Sequence, residues 1–315
     1  MQTTNTVLMI RPTRFTFNTD TAGNNRFQQR VLTPEEAQLR ALEEFDGYVA
    51  ALRDHGVEVL VAQDTDTPHT PDSIFPNNWW SSHACGTLTL YPMEGLNRRL
   101  ERSKGVLEHL LRDYQIERVM DFTEMESKGL FLEGTGSMVL DREHHICYAG
   151  YSSRTHVKAL RHFVEALGYS LCAFHAQDRQ GVPIYHTNVM MSVGTSLAVA
   201  CLDSVSVSGE RKALETQLRA VGKDILTLNW EQLEAFAGNM LEVQNRSGTP
   251  ILVMSRTAWN ALSYAQRAQI ERHAQPLPVN IDTIERIGGG SARCMLAEVY
   301  LSRKPDQAQR LEDIG

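Results

Sequence analysis

The stretch IGGGSARCML, residues 287–296, places Cys294 behind three glycines, a serine and an arginine, between two apolar runs that are typical of strands. Glycine has no Cβ and lets backbone N–H groups approach a ligand closely. The neighbouring Arg293 is a cation that can help to hold a thiolate. These features predict a nucleophilic Cys294, with N–H groups of residues 288–290 as donors to an oxyanion. The alternative is a hairpin strand that happens to contain a cysteine.

Two polar residues beside apolar runs are candidates for an acid–base partner of this thiolate. His186 lies in PIYHTNVMMSVG, where the polar Asn188 would be unusual in a pure core strand. A single histidine is more often structural than catalytic, so this interpretation depends on the other residues. Glu133 lies in the run GLFLEGTGSMVLD, which is predicted to be a strand. A buried carboxylate is costly unless it meets a cation or several donors, so a functional role explains Glu133 better than solvation.

A further polar string, PDSIFPNNWWSSH, crowds two asparagines and two tryptophans between Pro76 and His83. An Asx turn capped by aromatic packing explains this string as well as a binding site does. The polar strings all border apolar runs. They are therefore predicted to lie on strand ends and loops, where functional sites concentrate.

Several common catalytic signatures are absent from the sequence. GTGS and GGGS lack the GK[ST] of a phosphate loop, and neither opens a dinucleotide-binding unit. There is no HExxH, and His144, His145 and Cys147 could ligate a metal only with remote help. There is also no GxSxG elbow of a serine hydrolase. Nucleotide, metallohydrolase and serine-hydrolase chemistry are therefore disfavoured.

The elements that must position these residues alternate between helices and strands. Thr33 as N-cap, Pro34 in the first turn and Gly56 as the stop predict the first helix. Its predicted buried stripe consists of Leu42, Phe45, Val49 and Leu52. LNRRLERSKGVLEHLLRDY and TAWNALSYAQRAQIERHA are each predicted to form one further helix. A unit of roughly 55–65 residues repeats, which fits a closed ring of α/β modules or an open α/β sheet.

Composition excludes several classes of protein. The 315 residues carry a formal charge of −7 without a long Lys/Arg run, which argues against a nucleic-acid partner. No apolar run is long enough to span a membrane. The five cysteines are odd in number, widely spaced and without a CxxC pair. This pattern indicates the reducing cytoplasm rather than a disulfide scaffold.

Taken in order, the strings PDSIF, LEG, AGYSSRT, HTN and GGG with the following cysteine resemble the guanidine-modifying enzyme superfamily. This superfamily includes arginine deiminase, dimethylarginine dimethylaminohydrolase, the amidinotransferases and succinylarginine dihydrolase. The chain is most similar to a bacterial subgroup of citrulline-utilising hydrolases. The resemblance implies one domain over residues 1–315, a five-bladed α/β propeller of ββαβ-type modules around a polar channel, called the pentein fold. It also implies thiol catalysis on a small amino acid without a metal or organic cofactor, and leaves homo-oligomerisation open.

The resemblance also implies roles for individual residues. Cys294 corresponds to the nucleophile, His186 to the general acid/base and Glu133 to the carboxylate that grips the terminal nitrogens of the substrate. Arg154, in AGYSSRT, corresponds to the arginine that binds the α-carboxylate of the substrate. Asp72 corresponds to a residue near the α-amino end.

Two departures from the deiminases concern the substrate. Asn78 and Asn188 stand where deiminases carry aspartates that clamp a guanidinium. A guanidinium has five donors and no acceptor, so it needs carboxylates, whereas a neutral ureido group also has a carbonyl acceptor that an asparagine N–H can satisfy. The pair therefore predicts hydrolysis of citrulline to ornithine, carbon dioxide and ammonia through a covalent cysteine intermediate.

Four alternatives stay open at this point. Succinylarginine dihydrolase resembles this chain in using asparagine, yet begins from a guanidinium. An arginine deiminase, a dimethylarginine hydrolase and an amidinotransferase therefore remain possible readings of the same residues. A binding protein on a degenerate enzyme scaffold is the fourth, and the intact set of Cys294, His186 and Glu133 argues against it.

Overall fold

The computed structural model describes residues 1–305 of the chain. Within this range the strands are β1 Thr6–Arg11, β2 Glu58–Gln63, β3 Trp80–His83, β4 Thr87–Leu90, β5 Arg118–Asp121, β6 Val139–Asp141, β7 Ile146–Gly150, β8 Ser170–Phe174, β9 Met191–Val193, β10 Leu197–Ala200, β11 Asp224–Thr227, β12 Leu241–Gln244, β13 Pro250–Ser255, β14 Gln275–Val279 and β15 Ala297–Glu298. The α-helices are α1 Pro34–Asp54, α2 Leu96–Arg99, α3 Glu108–Asp113, α4 Gly134–Ser137, α5 Val157–Leu167, α6 Thr187–Met190, α7 Ser208–Ala220, α8 Trp230–Glu234, α9 Arg256–Ala261, α10 Tyr264–Glu271 and α11 Asp282–Gly288. Short 3₁₀ helices cover Pro76–Asn78, Leu100–Ser103, Thr123–Lys128, Leu202–Ser204 and Ala292–Met295.

The strands of the described range form five three-stranded sheets that repeat one connection pattern. In each sheet an antiparallel pair is followed by a helical crossover to a strand that pairs parallel with the middle strand. The sheets are β3-β4-β5, β6-β7-β8, β9-β10-β11, β12-β13-β14 and β15-β1-β2. This confirms the predicted α/β fold of five ββαβ-type modules and excludes the open sheet.

The fifth sheet joins the two ends of the described chain. β15 pairs antiparallel with β1, with Val7 opposite Glu298 and Leu8 opposite Ala297, and β1 pairs parallel with β2. The first strands of neighbouring sheets also touch, β6 with β9, β9 with β12 and β15 with β3. The modules are therefore arranged as a ring. A single domain over residues 1–315 stays a prediction, because residues 306–315 lie outside the described range.

Helix α1 shows how local sequence sets the elements. The Thr33 side chain accepts a hydrogen bond from the Glu36 N–H, and the Glu36 side chain accepts one from the Thr33 N–H, which together form a capping box. Pro34 occupies the first turn. The chain leaves the helix through Gly56, whose φ of +80° suits glycine. The predicted start and stop are confirmed. The buried stripe consists of Ala37, Ala41, Phe45, Tyr48, Val49 and Leu52, so Leu42 lies beside it rather than in it.

Two of the predicted helices are wrong in extent. Residues 96–114 form α2, a 3₁₀ helix and α3 instead of one helix, since Gly105 has a φ of +69° and interrupts the segment. Residues 256–271 form α9 and α10, because Ser263 starts a new capping box with Gln266. Apolar spacing continued across both breaks, which is why the sequence suggested single helices.

In every module a short helix or a turn precedes the first strand. These turns are Pro76–Asn78, α4, α6, residues 236–239 and Ala292–Met295. α4 packs against Pro76–Asn78 and against α6, and Pro76–Asn78 packs against Ala292–Met295. The aliphatic core lies around the sheets, whereas the turns bring polar side chains from different modules together. Among residues 1–305, no helix has both the length and the apolar character needed to cross a bilayer.

Candidate active site

Cys294 lies on the 3₁₀ turn Ala292–Met295, and its side chain faces two amides. Its Sγ is 3.3 Å from Asn239 Nδ2 and 3.6 Å from Asn188 Nδ2. The residue is only 4% exposed and borders the aliphatic cluster around β1 and β13. The alternative of a hairpin strand that contains the cysteine is wrong, since helix α11 precedes the glycines and β15 after the turn has only two residues. The sulfur therefore meets polar groups on one side although its surroundings are otherwise apolar.

Arg293 does not hold the thiolate, contrary to the prediction. Its guanidinium donates to the Leu296 carbonyl at 2.8 Å and pairs with the Glu298 carboxylate at 2.5 Å. Both partners of the guanidinium follow Cys294 in the chain, at the end of the 3₁₀ turn and in β15. Its structural role is to anchor the turn that carries Cys294 to β15.

The glycines before Cys294 serve close packing. The Gly289 N–H donates to the Glu285 carbonyl at 2.9 Å and closes helix α11, so the predicted oxyanion role is wrong for this group. Gly289 has a φ of +65°, and its carbonyl accepts from the Tyr185 hydroxyl at 2.6 Å. A Cβ on Gly288 or Gly290 would lie within 2.9 Å of the Phe75 ring. These glycines therefore let the segment pass close to Phe75 and Tyr185.

Glu133 and His186 form a buried pair from two adjacent modules. His186 Nε2 lies 2.8 Å from Glu133 Oε2, and the Glu94 N–H donates to Glu133 Oε1 at 3.0 Å. Burial raises the pKa of Glu133, but Arg154 and the His186 hydrogen bond outweigh it and lower the pKa to about 2. Burial lowers the pKa of His186 to about 4 despite Glu133. At neutral pH the carboxylate is ionised, so neutral His186 carries its proton on Nε2 and keeps Nδ1 as an acceptor.

The local structure around this pair differs from the prediction. Glu133 lies at the N-cap of the four-residue helix α4 rather than in a strand, and β6 starts only at Val139. His186 likewise precedes the short helix α6. A Cβ on Gly134 would lie 2.4 Å from the Asn77 carbonyl oxygen, and Gly134 has a φ of +47°. The glycine in LEGTG therefore bends the chain and places Glu133 at the start of the turn.

Asn78 lies across Gly136 from His186. A Cβ on Gly136 would be 2.5 Å from Asn78 Nδ2 and 2.8 Å from His186 Nδ1, so the amide and the imidazole flank the same glycine. Asn78 Oδ1 accepts from Arg98 Nη1 at 2.6 Å. A guanidinium can only donate, so this bond fixes which end of the amide faces Arg98. Asn78 Nδ2 is buried and has no hydrogen-bond partner among residues 1–305.

Arg98 is itself held rigidly. It is 2% exposed and pairs in two-pronged fashion with Glu101, Nε to Oε1 at 2.7 Å and Nη2 to Oε2 at 3.0 Å. Its Nη2 also donates to the carbonyl oxygens of Asp72 and Phe75. The orientation of Asn78 is therefore set by a cation with no freedom to turn.

The two residues predicted at the amino-acid end of the substrate lie beside the segment of residues 18–28. Arg154 Nη1 is 3.4 Å from Glu133 Oε2, and Arg154 also bonds Asn24. Asp72 Oδ2 accepts from Asn18 Nδ2 at 2.7 Å, while Asp72 Oδ1 is buried without a partner in the described chain. Burial raises the pKa of Asp72 although Arg98 opposes it. An unpaired acceptor beside a cation suits the two charged groups of an α-amino acid.

The structure thus brings the predicted residues into two neighbouring groups. One group contains Cys294, Asn188, Asn78, His186 and Glu133, and the other contains Arg154 and Asp72. Sequence reasoning missed Asn239, Arg98 and Asn24. The available signal for Asn239 is the pair Gly238–Asn239 just before β12, which repeats the pattern of a polar residue before the first strand of a module.

No set of three or more His, Cys, Asp or Glu side chains in residues 1–305 is arranged to hold a metal ion. The arrangement offers a buried sulfur beside the amides of Asn188 and Asn239, and a neutral His186 imidazole paired with the Glu133 carboxylate.

The chain matches one family model but no curated protein sequence. The family model described as N,N dimethylarginine dimethylhydrolase, eukaryotic, matches residues 11–301. A search of curated protein sequences gives no match.

Solved structures share the fold over most of the chain. One is the N-terminal domain of a mutant of ArgZ, bound to its substrate; ArgZ is an arginine dihydrolase from the ornithine–ammonia cycle in Cyanobacteria. The TM-score is 0.73 at 15% identity, and the match covers 93% of this chain and 97% of that chain. A mutant of AgrE with L-arginine has a TM-score of 0.71 and 18% identity, with 93% and 40% covered. Dimethylarginine dimethylaminohydrolase, as an adduct with S-methyl-L-thiocitrulline, has a TM-score of 0.65 and 16% identity, with 93% and 99% covered. At these identities the likeness shows the pentein fold alone.

Proposed function

The chain belongs to the dimethylarginine dimethylhydrolase family, hydrolases that act on C–N bonds, and from this premise we propose that it hydrolyses the ureido group of citrulline. The products are ornithine, carbon dioxide and ammonia. Cys294 is the nucleophile, His186 the acid/base and Glu133 the carboxylate that orients the substrate nitrogens. Asn78 and Asn188 are the amides at the reacting group.

The observation that carries the proposal is the orientation of Asn78. Arg98 occupies its oxygen, so the amide can offer only N–H to a group beside His186. A ureido oxygen accepts such a bond, whereas every polar atom of a guanidinium is itself a donor. Leaving a buried donor unpaired costs about 1–3 kcal/mol, which favours a substrate that has an oxygen there.

The charge of the site supports the same choice. Glu133 is the ionised carboxylate at the reacting group, and it already contacts Arg154 and His186. Asn78 and Asn188 add no negative charge. A substrate cation would be buried with few anionic partners, while a neutral urea carries no such penalty.

The proposed reaction proceeds through a covalent intermediate. Cys294 sulfur attacks the ureido carbon, and neutral His186 accepts the thiol proton through Nδ1 and passes it to the departing nitrogen. His186 then removes a proton from water, which attacks the thiocarbamoyl carbon and releases Cys294. The N–H of Asn78 is placed to stabilise negative charge that develops on the ureido oxygen. The carbamate that is released breaks down to carbon dioxide and an amine or ammonia.

Hydrolysis of a guanidino group is the second candidate. The ionised Glu133 favours it, since a carboxylate is the natural partner of a guanidinium. ArgZ, a neighbour in fold, is an arginine dihydrolase, and the family model is that of dimethylarginine hydrolases. Arginine or dimethylarginine would then be the first substrate, and the ureido step would follow or be absent.

A substrate panel tests the proposal. The purified protein is incubated separately with L-citrulline, L-arginine and asymmetric dimethylarginine, and ornithine, citrulline and ammonia are quantified by mass spectrometry and an ammonia assay. Ornithine from citrulline, at a kcat/KM at least about tenfold above that for the guanidino substrates, is the expected result. Citrulline that accumulates from arginine or dimethylarginine, without ornithine from citrulline, would replace the proposal by the second candidate. The Cys294→Ser variant controls for contaminating enzymes.

A further inference from the structure

Asn239 contacts the sulfur of Cys294 more closely than any predicted residue does. The distance from its Nδ2 to Sγ is 3.3 Å, against 3.6 Å from Asn188 Nδ2. Asn239 is fully buried and precedes the first strand of the fourth module. It therefore adds a contribution from a module that holds none of the residues predicted from the sequence.

The orientation of the Asn239 amide is fixed by its other bonds. Its Oδ1 accepts the backbone N–H of Arg293 at 3.0 Å, and a backbone N–H can only donate. The Nδ2 group therefore carries the two hydrogens, one of which goes to the Asn188 carbonyl at 2.9 Å, and the sulfur lies nearer to Nδ2, at 3.3 Å, than to Oδ1, at 3.7 Å. The second hydrogen is left for the sulfur. Both ends of the amide thus tie the turn of Cys294 to the turn of Asn188.

The backbone around Asn239 is built for this close approach. A Cβ on Gly238 would lie 2.4 Å from the Val189 carbonyl oxygen and 2.6 Å from the Met190 carbonyl carbon. Phe236 adopts a φ of +59°, which is unusual for a residue with a side chain. A sterically demanding turn packed against α6 places the amide beside the sulfur, and strain of this kind is typical of functional sites.

We propose that Asn239 is a further catalytic residue, whose Nδ2–H donates to the Cys294 sulfur, favours the thiolate and aims it. The inference rests on the proposed function only in that Cys294 is the nucleophile. A hydrogen bond to the charged form of a group favours that form. Asn188 is the second, longer donor to the same sulfur. With Arg293 turned away, these amides take the place of a cation beside the thiolate.

The test replaces the donor by an acceptor of equal shape, Asn239→Asp, and removes it in Asn239→Ala. Alkylation of Cys294 by iodoacetamide is followed from pH 6 to 9, and peptide mass spectrometry separates it from the other cysteines. At pH 7 we expect a rate about tenfold lower in the aspartate variant and severalfold lower in the alanine variant, with profiles displaced to higher pH. Asn229→Asp is the matched control, because Asn229 caps α8 through its oxygen and this cap survives the change.

Circular dichroism and thermal melts identify variants that remain folded. If folded Asn239→Ala, or folded Asn239→Asp, is alkylated at the wild-type rate with an unchanged pH profile, Asn239 has no role at the sulfur. With the best substrate of the panel, kcat is expected to fall while KM stays within about threefold. Alkylation needs no substrate, so failure of citrulline turnover would reject the proposed function and leave this result interpretable.

Discussion

The two ends of the candidate site are built in different ways. The reacting end consists of Cys294, His186, Glu133, Asn78, Asn188 and Asn239. The amino-acid end consists of Arg154, Asp72, Asn18, Thr21 and Asn24. The first end is built from the turns that begin four modules, which carry Asn78, Asn188, Asn239 and Cys294. Glu133 and His186 immediately precede such turns, and most polar groups at this end are amides. The second depends on charges and on a segment of the N-terminal chain.

The difference suggests a division of labour. Turns packed on one another hold the reacting end, so its donors are positioned before a substrate arrives, which is what stabilisation of developing charge requires. At the amino-acid end, Arg154 contacts Glu133, Glu94 and Asn24, partners that a substrate carboxylate would replace. Damage to the first end should therefore lower kcat, and damage to the second should raise KM.

Loss of the sulfur is the most severe test of this division. Cys294→Ala should lower turnover by about 10⁴-fold or more, because no other group can form the covalent intermediate. Isothermal titration with citrulline should still detect binding, since the amino-acid end is unchanged. Cys85→Ser, at an exposed position, is the matched control and should retain full activity. A residual rate within tenfold of wild type in Cys294→Ala would exclude the covalent mechanism.

Asn78→Asp should sharpen the comparison at the reacting end. The new carboxylate would still accept from Arg98, but it would turn an anionic oxygen instead of an N–H toward the substrate. Loss of the donor plus repulsion of the ureido oxygen should lower kcat/KM for citrulline by about 100-fold or more. Arginine should bind more tightly than in wild type, as measured by titration into the Cys294→Ala background.

The control for this substitution is Asn77→Asp, which changes the same turn. Asn77 Nδ2 bonds Thr135 rather than a cation, so the control adds the same charge without the Arg98 partner. Equal losses of citrulline and arginine turnover in Asn78→Asp would mean that the amide does not discriminate between the two groups.

Arg154→Lys addresses the amino-acid end. A lysine cannot reproduce the planar fork of a guanidinium toward a carboxylate. The KM for citrulline should rise by about 100-fold while kcat changes by less than about threefold. Carbamoylputrescine, which has the ureido group but no carboxylate, serves as substrate control, and its kinetics should not respond. Arg161→Lys, exposed on α5, is the control variant. A fall in kcat with constant KM would place Arg154 with the reacting end instead.

The sequence identified the residues that the fold brings together, but it did not identify the elements on which they lie. Ordered strings located Cys294, His186 and Glu133, and repeated strand and helix patterns indicated the module. The elements around them were misjudged, because Glu133 and Cys294 sit on short turns inside apolar runs that read as strands. Apolar periodicity reports burial, and these turns are buried as deeply as strands are.

Contacts between residues far apart in the chain could not be predicted from the sequence. Arg98 bonds Asn78, 20 positions away in the same module, and Asn239 contacts Cys294, 55 positions away in the next module. Arg293 was assigned to the sulfur because it adjoins Cys294 in the chain, yet its guanidinium points to Glu298.

The buried, neutral imidazole of His186 makes the stability of the fold depend on pH. Its pKa falls from the ordinary 6.5 to about 4 on folding, because burial disfavours the cation more than Glu133 favours it. Between these values the unfolded chain binds a proton that the folded chain refuses, so stability is lost as pH falls. From pH 7.5 to 5 the loss due to His186 is about 2 kcal/mol.

Urea unfolding at both pH values measures this loss, and His186→Asn should reduce it by about that amount. Glu133, with a pKa of about 2, stays ionised throughout this range in the folded chain and contributes little above pH 5. His175→Asn is the control, because this histidine is exposed beside Glu210. An undiminished loss in His186→Asn would mean that folding does not lower the pKa of His186, and burial beside Glu133 would then not be what keeps the imidazole neutral as the acceptor of the thiol proton.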